Sequence, residues 1–324
     1  MKLYKYSPPE VLQKMFVRKG FVGLKCDFPK NYNDPFELFL SVSAKDADLE
    51  DVAYYLEILG DIPQMPTSCF SKRPDVVPMW AHYGRDHAGY AIEIDEASLA
   101  GAISLGYLED IEYSEVMGTV DLGLVHFAAT TLKPRHTQRV RTIAFKSAYL
   151  TKNHCLEYEM ERRLVVNPSD ISNIEEVMIL FLPVACVTAI ISGAKAADSE
   201  LSAHREIAAQ INCQHYRLTI GRTSCVPYFA HAEKGSFRFD GTLIQPAKTV
   251  CDTCSDPLDD EEKSTCNWCS VNDDARTVAA LKNPLRMLAH CGLSQSFGFG
   301  FADLHQIGFN TTSKAATRSS GDSL

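Results

Sequence analysis

Apolar and polar residues alternate with a period of two in several segments of the chain, and this pattern predicts β-strands. Residues 89–95 show it most clearly, because Tyr90, Ile92 and Ile94 fall on one face of an extended chain. The segments predicted as strands, by alternation or as short apolar runs, are 3–6, 21–26, 67–71, 89–95, 108–113, 157–166, 177–182, 187–192 and 214–220.

A helical spacing of apolar residues marks other segments. The first helix begins with a capping box and proline in Ser7–Glu10 and ends at Gly20. Residues 120–150 form a long helical pattern that Pro134 divides, since proline interrupts helical hydrogen bonding. The other predicted helices are 48–59, 77–84, 198–211 and 274–290, and Pro284 is expected to kink or split the last of these. This mixture predicts an α+β fold with a mixed, largely antiparallel sheet core and helices.

The composition changes near Arg222, and the change predicts three regions. Residues 1–221 form an α+β domain that carries the candidate active site. Residues 222–309 form a small zinc-ribbon-like C-terminal segment and a helix, with a hairpin at Asp240-Gly241. Residues 310–324 are rich in Ser and Thr and are expected to be a disordered tail.

Four of the 11 cysteines are spaced for binding a metal ion. Cys251-x-x-Cys254 and Cys266-x-x-Cys269 are two pairs, each of which can hold one ion through a tight turn. Four thiolates complete a closed tetrahedron, so we predict a structural zinc ion. The polar loop 255–265 has few core-forming residues and would depend on that ion for its fold. Docking of a protein partner is a second role expected for this segment.

The net charge of −9 argues against a protein that binds nucleic acid over its whole surface. Residues 133–141 contain four lysines and arginines, which is consistent with a local basic groove or with a solvated face. The longest apolar run, 177–193, is shorter than the roughly 20 residues of a membrane span and contains Pro183. No signal peptide is recognisable, and we expect a cytoplasmic protein without a membrane partner.

Two glutamates in the segment 157–166 are candidates for catalysis. Because alternate side chains of a strand share a face, Glu159, Glu161 and Arg163 are expected on one side. Adjacent carboxylates there would lie about 6–7 Å apart, and in a dry site their repulsion would raise the pKa of one of them. The alternative from spacing alone is a solvated strand face with Glu–Arg pairs.

Aromatic residues of two other elements could complete this site. Trp80, His82 and Tyr83 fall within one predicted helical turn, although core packing explains Trp80 equally well. Lys5 and Tyr6 lie on opposite faces of the first strand, so only one of them can line a given cleft.

Six motifs follow one another along residues 1–220. They are Leu3-Tyr4-Lys5-Tyr6, Asn33-Asp34-Pro35-Phe36-Glu37, Cys69-Phe70-Ser71, Met79-Trp80-Ala81-His82-Tyr83, Gly89 through Asp95, and Tyr158-Glu159-Met160-Glu161-Arg162-Arg163. In this order they resemble a bacterial domain family of unknown function, the DUF2971-like family. Leu156 replaces the aromatic residue that is usual at its position, which is a small departure. That family is in turn remotely similar to ADP-ribosyltransferases.

The resemblance implies an enzyme that uses NAD to modify a macromolecular acceptor, in toxin or phage-defence biology. One of Glu159 and Glu161 would stabilise an oxocarbenium-like transition state, and the other would accept a proton from the attacking group. Tyr83 is the third predicted catalytic residue. The residues expected to bind NAD are Lys5, Tyr6, Ser71, Trp80, His82 and Arg163. The alternative is a non-enzymatic protein- or nucleic-acid-binding module with a structural zinc site.

Overall fold

The computed structural model describes residues 1–32, 34, 47–60, 62, 64–104, 106–115 and 120–290, with only the backbone for 288–290. Two predictions lie outside these residues, namely the Asn33–Glu37 box apart from Asp34, and the tail 310–324. The chain divides into two compact units, Met1–Ser264 and Thr265–Leu324.

Among the described residues, short strands are more numerous than α-helices. The strands are β1 (Lys2–Ser7), β2 (Phe21–Cys26), β3 (Thr67–Ser71), β4 (Tyr90–Asp95), β5 (Gly106–Asp110), β6 (Glu112–Ser114), β7 (Thr151–Asn153), β8 (Glu161–Val166), β9 (Ile171–Ile174), β10 (Val177–Pro183), β11 (Val187–Ser192), β12 (Gln214–Thr219), β13 (Tyr228–His231), β14 (Gly235–Phe239), β15 (Ile244–Pro246), β16 (Thr249–Val250) and β17 (Pro257–Leu258). The helices are α1 (Leu12–Met15), α2 (Leu49–Gly60), α3 (Val77–His82), α4 (Glu96–Ala102), α5 (Leu122–Thr131), α6 (Pro134–Leu150), α7 (Asp198–Gln210), α8 (Asp273–Leu281) and α9 (Pro284–His290). Turns of 3-10 helix lie at Pro9–Val11, Pro29–Asn31, His154–Glu159, Pro168–Asp170 and Val184–Cys186.

Within the described part of the chain, ten strands form one sheet in the order β15-β14-β13-β12-β11-β4-β1-β3-β8-β5. Neighbouring strands are antiparallel except β11 and β12, which are parallel. The helix α7 connects these two, since parallel neighbours need a crossover connection. A second, antiparallel sheet contains β2, β10 and β9. The predicted α+β fold with a mixed, largely antiparallel sheet is confirmed.

The two faces of the large sheet pack against different elements. On one face, Leu3, Ile92 and Leu164 belong to a core that includes residues of α1, α4, α7 and the second sheet. On the other face, Tyr4 packs in a core with Trp80 of α3. Because side chains alternate along β1, Leu3 and Tyr4 contribute to opposite cores.

A third core lies among α2, α5 and α6, where Val125 and Val140 are fully buried. Pro134 is the first residue of α6, and Leu132 before it adopts a left-handed φ of 50°. The division of the long helical pattern at this proline is therefore confirmed. The pattern over 274–290 is likewise two helices, the second of which begins at a proline.

The segment predicted as one strand, 157–166, is a strand only from Glu161 onwards. Residues His154–Glu159 form a 3-10 helix, and the side chain of Asn153 caps it by accepting a backbone N–H bond at 3.0 Å. Met160 then adopts a left-handed φ of 43° and redirects the chain into β8. The two glutamates therefore do not follow the strand alternation on which their pairing was predicted.

The large sheet continues past the predicted end of the first domain at residue 221, because β13, β14 and β15 extend it. The antiparallel pairing of β14 with β15 confirms the hairpin predicted at Asp240-Gly241. Gly241 has a φ of 103°, which favours glycine at this turn. The domain boundaries at 221/222 and 309/310 stay predictions.

Candidate functional site

Four charged side chains form a buried cluster beside the start of β8. Glu161 and Arg163 come from β8, and they are 3% and 0% exposed. Glu159 ends the preceding 3-10 turn and is 3% exposed, and Lys152 of β7 is 9% exposed. Charged residues are almost never this buried unless they are paired, so their contacts decide what the cluster can do.

A single ammonium group joins the two carboxylates. The Nζ of Lys152 lies 2.8 Å from Oε2 of Glu159 and 2.7 Å from Oε2 of Glu161. The Nε of Arg163 donates to Oε1 of Glu161 at 2.7 Å, and its Nη1 donates to the backbone carbonyl of Tyr149 at 3.0 Å. Two positive and two negative groups therefore neutralise one another inside the protein.

The charges of the cluster shift the pKa values of Glu161 and Lys152 towards their ionised forms. Burial alone would raise the pKa of Glu161, but the charges of Arg163 and Lys152 and the hydrogen bond from Arg163 outweigh it and lower this pKa. Burial would lower the pKa of Lys152, but Glu161 and Glu159 raise it well above its ordinary value. The prediction that repulsion raises a carboxyl pKa is therefore wrong for Glu161, because Lys152 and Arg163 both contact its carboxylate at 2.7 Å.

Tyr83 connects this buried cluster with the surface. Its hydroxyl donates to Oε1 of Glu159 at 2.6 Å, while the residue as a whole is 39% exposed. Burial of the hydroxyl and the charge of Glu159 raise the pKa of Tyr83, so the phenol stays protonated at neutral pH. A hydrogen-bonded path thus leads from the accessible ring of Tyr83 through Glu159 to Lys152.

Two further side chains contact Glu161. The hydroxyl of Tyr113 accepts a hydrogen bond from the backbone N–H of Glu161 at 2.8 Å. The thiol of Cys69 hydrogen-bonds the Glu161 carboxylate, and burial together with that negative charge raises the pKa of Cys69 to about 12. This thiol is therefore protonated and unreactive at neutral pH.

Strand register decides which of the predicted NAD-binding residues share a face with Glu161. Ser71 pairs with both Tyr4 and Glu161, so the three lie on one face of the sheet, together with Tyr6. Ser71 is buried, and its hydroxyl accepts a hydrogen bond from a backbone N–H at 3.2 Å. Lys5 lies on the opposite face of the sheet, where its Nζ donates to a serine hydroxyl and to a backbone carbonyl, both at 3.1 Å.

The aromatic residues of α3 divide between the core and the surface. Trp80 is fully buried, its Nε1 donates to a backbone carbonyl at 2.8 Å, and its ring lies edge-on to Tyr6 with 5.0 Å between centroids. Core packing of Trp80, the alternative raised from the sequence, is confirmed. His82 is exposed, with its ring 6.3 Å from that of Tyr158.

The predicted site residues therefore fall into three groups. Glu159, Glu161, Arg163 and Tyr83 meet in the cluster. Tyr6, Ser71 and Trp80 are buried on the same side of the sheet. Lys5 lies on the opposite face, and His82 is exposed beside Tyr158. The alternative of a solvated strand face is wrong, because both carboxylates are buried. The Glu–Arg pair that it included is present between Glu161 and Arg163. Sequence reasoning missed Lys152, Tyr113 and Cys69, since no local pattern connects them with β8.

The four predicted metal ligands lie together. The sulfur atoms of Cys251, Cys254, Cys266 and Cys269 are all within 4.8 Å of one another. Zinc–sulfur bonds of about 2.3 Å in a tetrahedron separate sulfur atoms by about 3.8 Å, so the four thiols fit one ion with only small adjustments. The chain therefore carries a four-cysteine group compatible with metal binding, in a zinc-ribbon-like segment.

Each cysteine pair is held by a tight turn. In the first, the backbone N–H of Ser255 donates to the carbonyl of Cys251 at 2.8 Å, and Ser255 has a left-handed φ of 61°. In the second, the N–H of Cys269 donates to the sulfur of Cys266 at 3.4 Å. An N–H directed at a sulfur atom stabilises a thiolate, which is the form that binds metals.

Within the part of the chain that the structure describes, every helix is too short or too polar to cross a lipid bilayer. Comparison of the chain with protein-family models, with curated proteins and with solved structures gives no match. The family resemblance drawn from the motifs therefore stays a prediction, and the function has to be argued from the site itself.

Proposed function

We propose that the protein is an ADP-ribosyltransferase-like enzyme, which cleaves NAD and transfers ADP-ribose to a macromolecular acceptor. The observation that carries the proposal is the pair Glu159 and Glu161, held by Lys152 beneath the accessible ring of Tyr83. Paired carboxylates near a sugar carbon are the groups that stabilise and complete the cleavage of a glycosidic bond.

In the proposed reaction, the bond between the nicotinamide nitrogen and the ribose breaks, and its electron pair leaves with nicotinamide. Positive charge then develops on the ribose, where an ionised carboxylate lowers the energy of the transition state. Glu161 suits this role, because its lowered pKa keeps it ionised at neutral pH. An oxygen or nitrogen of the acceptor forms the new bond to the ribose carbon.

The attacking group has to lose a proton. Glu159 suits the role of base, with Tyr83 as the relay, because the Tyr83 hydroxyl already donates to Glu159 at 2.6 Å. The phenol would pass its proton to Glu159 and take the proton of the acceptor.

Release of nicotinamide from NAD by the purified full chain tests the proposal. Glu161→Gln should lower kcat/KM by about 100-fold or more, because it removes the negative charge that faces the sugar cation. Tyr83→Phe should cost about tenfold or more, because it removes the proton relay. Glu157→Gln is the matched control, since the Glu157 side chain is 60% exposed and lies outside the cluster, and it should change kcat/KM less than twofold. If folded wild-type protein neither binds nor consumes NAD, the proposal is wrong.

A second candidate function is a non-enzymatic binding module in which the cluster is only structural. It is favoured by one observation: each oxygen of the two carboxylates already accepts a bond from Lys152, Arg163 or Tyr83. In that case Glu159→Gln should lower the stability of the protein, and neither the wild type nor the variant should consume a small molecule. Binding of a partner would then depend on exposed residues such as His82, and His82→Ala should weaken it.

We further infer that the four-cysteine group holds a structural zinc ion. Four thiolates fill the coordination sphere, so no position is left for a substrate or a water nucleophile. Cysteines stay reduced and available to bind a metal in a reducing compartment, which supports a cytoplasmic location. The exposed side chain of Trp268, between the second pair of cysteines, makes this segment suitable for docking a protein partner. Metal analysis of the purified protein should find about one zinc per chain, and a metal-free wild type would refute the assignment.

A further inference from the structure

The helix α6 differs in charge from the rest of this acidic protein. Its 17 residues include four lysines and arginines and no aspartate or glutamate, whereas the whole chain has a net charge of −9. The apolar side of α6, with Val140 and Ala144 fully buried, packs in the core shared with α2 and α5. The charged residues of α6 therefore lie on the outward side of the helix, away from this core.

Three cations form one exposed stripe on that outward side, which we call the basic face. Arg135, Arg139 and Lys146 are all exposed. At 100° per residue, they lie within about 40° of one another around the helix axis, over a length of about 17 Å. Gln138 is also exposed on this side, and Lys133 precedes the helix.

Carboxylates of the described residues do not pair with the cations of the basic face. Among the residues that the structure describes, Lys133, Arg135, Arg139 and Lys146 form no ion pair with a carboxylate, and Arg135 donates only to His136, at 3.3 Å. Partial burial and the charges of Arg135, Lys133 and Arg139 lower the pKa of His136. Cations near a helix N-terminus also oppose the helix dipole, so this arrangement lowers the stability of α6.

Exposed apolar groups lie beside the first turn of α6. Phe127 of α5 is 49% exposed, and its ring lies edge-on to His136 with 4.8 Å between centroids. Leu132, in the connection between α5 and α6, is 83% exposed. A row of cations with an accessible aromatic ring at one end is the combination that binds unpaired nucleotides, through phosphate contacts and base stacking.

We propose that the basic face of α6 binds the phosphate backbone of a single-stranded nucleic acid, with Phe127 stacking on a base. Arginine is suited to phosphate because its planar fork can donate two parallel hydrogen bonds. A lipid surface fits less well, since the apolar side of α6 is already buried in the protein and cannot enter a bilayer. An acidic protein partner would not need the exposed ring. The proposal is independent of whether the protein consumes NAD.

Binding of the full chain to a fluorescently labelled polyuridylate strand tests it. Wild-type protein should bind at about 50 mM salt, and its affinity should fall linearly on a log–log plot as salt increases. The variant Arg135→Gln/Arg139→Gln/Lys146→Gln should bind about tenfold more weakly or worse, with a salt slope shallower by about 2, since three phosphate contacts are removed. Phe127→Ala should weaken binding of the single strand but not of a duplex with the same phosphates.

The control Lys14→Gln/Lys19→Gln/Arg205→Gln removes the same charge at exposed positions outside α6 and should bind like the wild type. The α6 variant should melt at the same temperature as the wild type or above it, because the unfavourable dipole interaction is relieved. Absence of salt-dependent binding by the wild type, or an equal loss in both triple variants, would overturn the proposal. A further result would also overturn it: the α6 substitutions weaken binding of the protein to anionic vesicles or to polyglutamate but leave its binding to the oligonucleotide unchanged.

Discussion

Replacing Lys152 by Met should lower the free energy of unfolding by about 3–5 kcal/mol, the range found when one partner of a buried ion pair is removed. Methionine keeps most of the length of the side chain, so the change isolates the loss of the ammonium group. Lys152 is only 9% exposed and touches both Glu159 and Glu161. After the substitution, Glu161 keeps Arg163, whereas the remaining partner of the Glu159 carboxylate among the described residues is the hydroxyl of Tyr83.

The size of this effect follows from the contact distances of 2.8 and 2.7 Å. At an effective dielectric constant near 20, each contact contributes about 6 kcal/mol of attraction. The cost of desolvating the buried ammonium opposes this attraction by several kcal/mol. The substitution removes that cost, but the carboxylates stay buried and their own desolvation cost remains in the variant. The net loss therefore lies well below the sum of the two attractions but well above the value of a surface pair.

Urea unfolding at pH 7, followed by circular dichroism, measures the effect. The double variant Lys152→Met/Glu159→Gln should recover at least about 1 kcal/mol, because it removes the carboxylate that lost its cation. Lys72→Met is the control, since Lys72 pairs with the half-exposed Asp110 at 2.9 Å and should cost less than about 1 kcal/mol. A Lys152→Met protein within 1 kcal/mol of the wild type, or no recovery in the double variant, would refute the reasoning.

Three further predictions concern pH and metal. The lowered pKa of Glu161 contributes stability that is present above its ordinary pKa of about 4.5 and is lost as the pH falls below it, so Glu161→Gln should flatten the thermal-melting profile there. Burial lowers the pKa values of His204 and His215, which both contact the Ser192 hydroxyl, to about 4. The protein should therefore lose free energy of unfolding as the pH falls from about 6.5 towards 4, by at most about 3 kcal/mol for His204. The variant His204→Gln should reduce this loss. A zinc chelator should lower the melting temperature, and Cys251→Ser should abolish that response.

Local chemistry accounts for the parts of the fold that were predicted correctly. The strand expected at 89–95 is β4, because its alternation matches a sheet with two different cores. Pro134 divides the long helical pattern because its ring fits only the first turn of a helix. The two Cys-x-x-Cys pairs meet because metal-ligand spacing is a property of the local turn.

The candidate site shows where such reasoning ends. The alternation predicts a strand at Glu159, yet the cap of Asn153 and the left-handed Met160 set a 3-10 turn there. Lys152 carries no local signal, because it meets Glu159, seven residues further on, and Glu161 only after the 3-10 helix His154–Glu159 has turned the chain back. The burial of Trp80 likewise depends on Tyr6, which is distant in the chain. Chemistry produced by long-range contacts cannot be read from the spacing of residues.

Stability alone does not explain why the cluster is charged. Well-packed apolar residues in place of a buried ion pair are often neutral or stabilising by about 1–4 kcal/mol. In Lys152→Met/Glu159→Leu, one charge of each sign is removed, the Arg163–Glu161 pair remains, and Tyr83 is exposed enough to turn to solvent. This variant should therefore be at least as stable as Lys152→Met. If the cluster serves catalysis, this double variant stays folded but loses NAD turnover. If the cluster is only structural, the double variant binds the protein's partner as the wild type does. Groups that lower stability but are required for turnover are typical of enzyme sites.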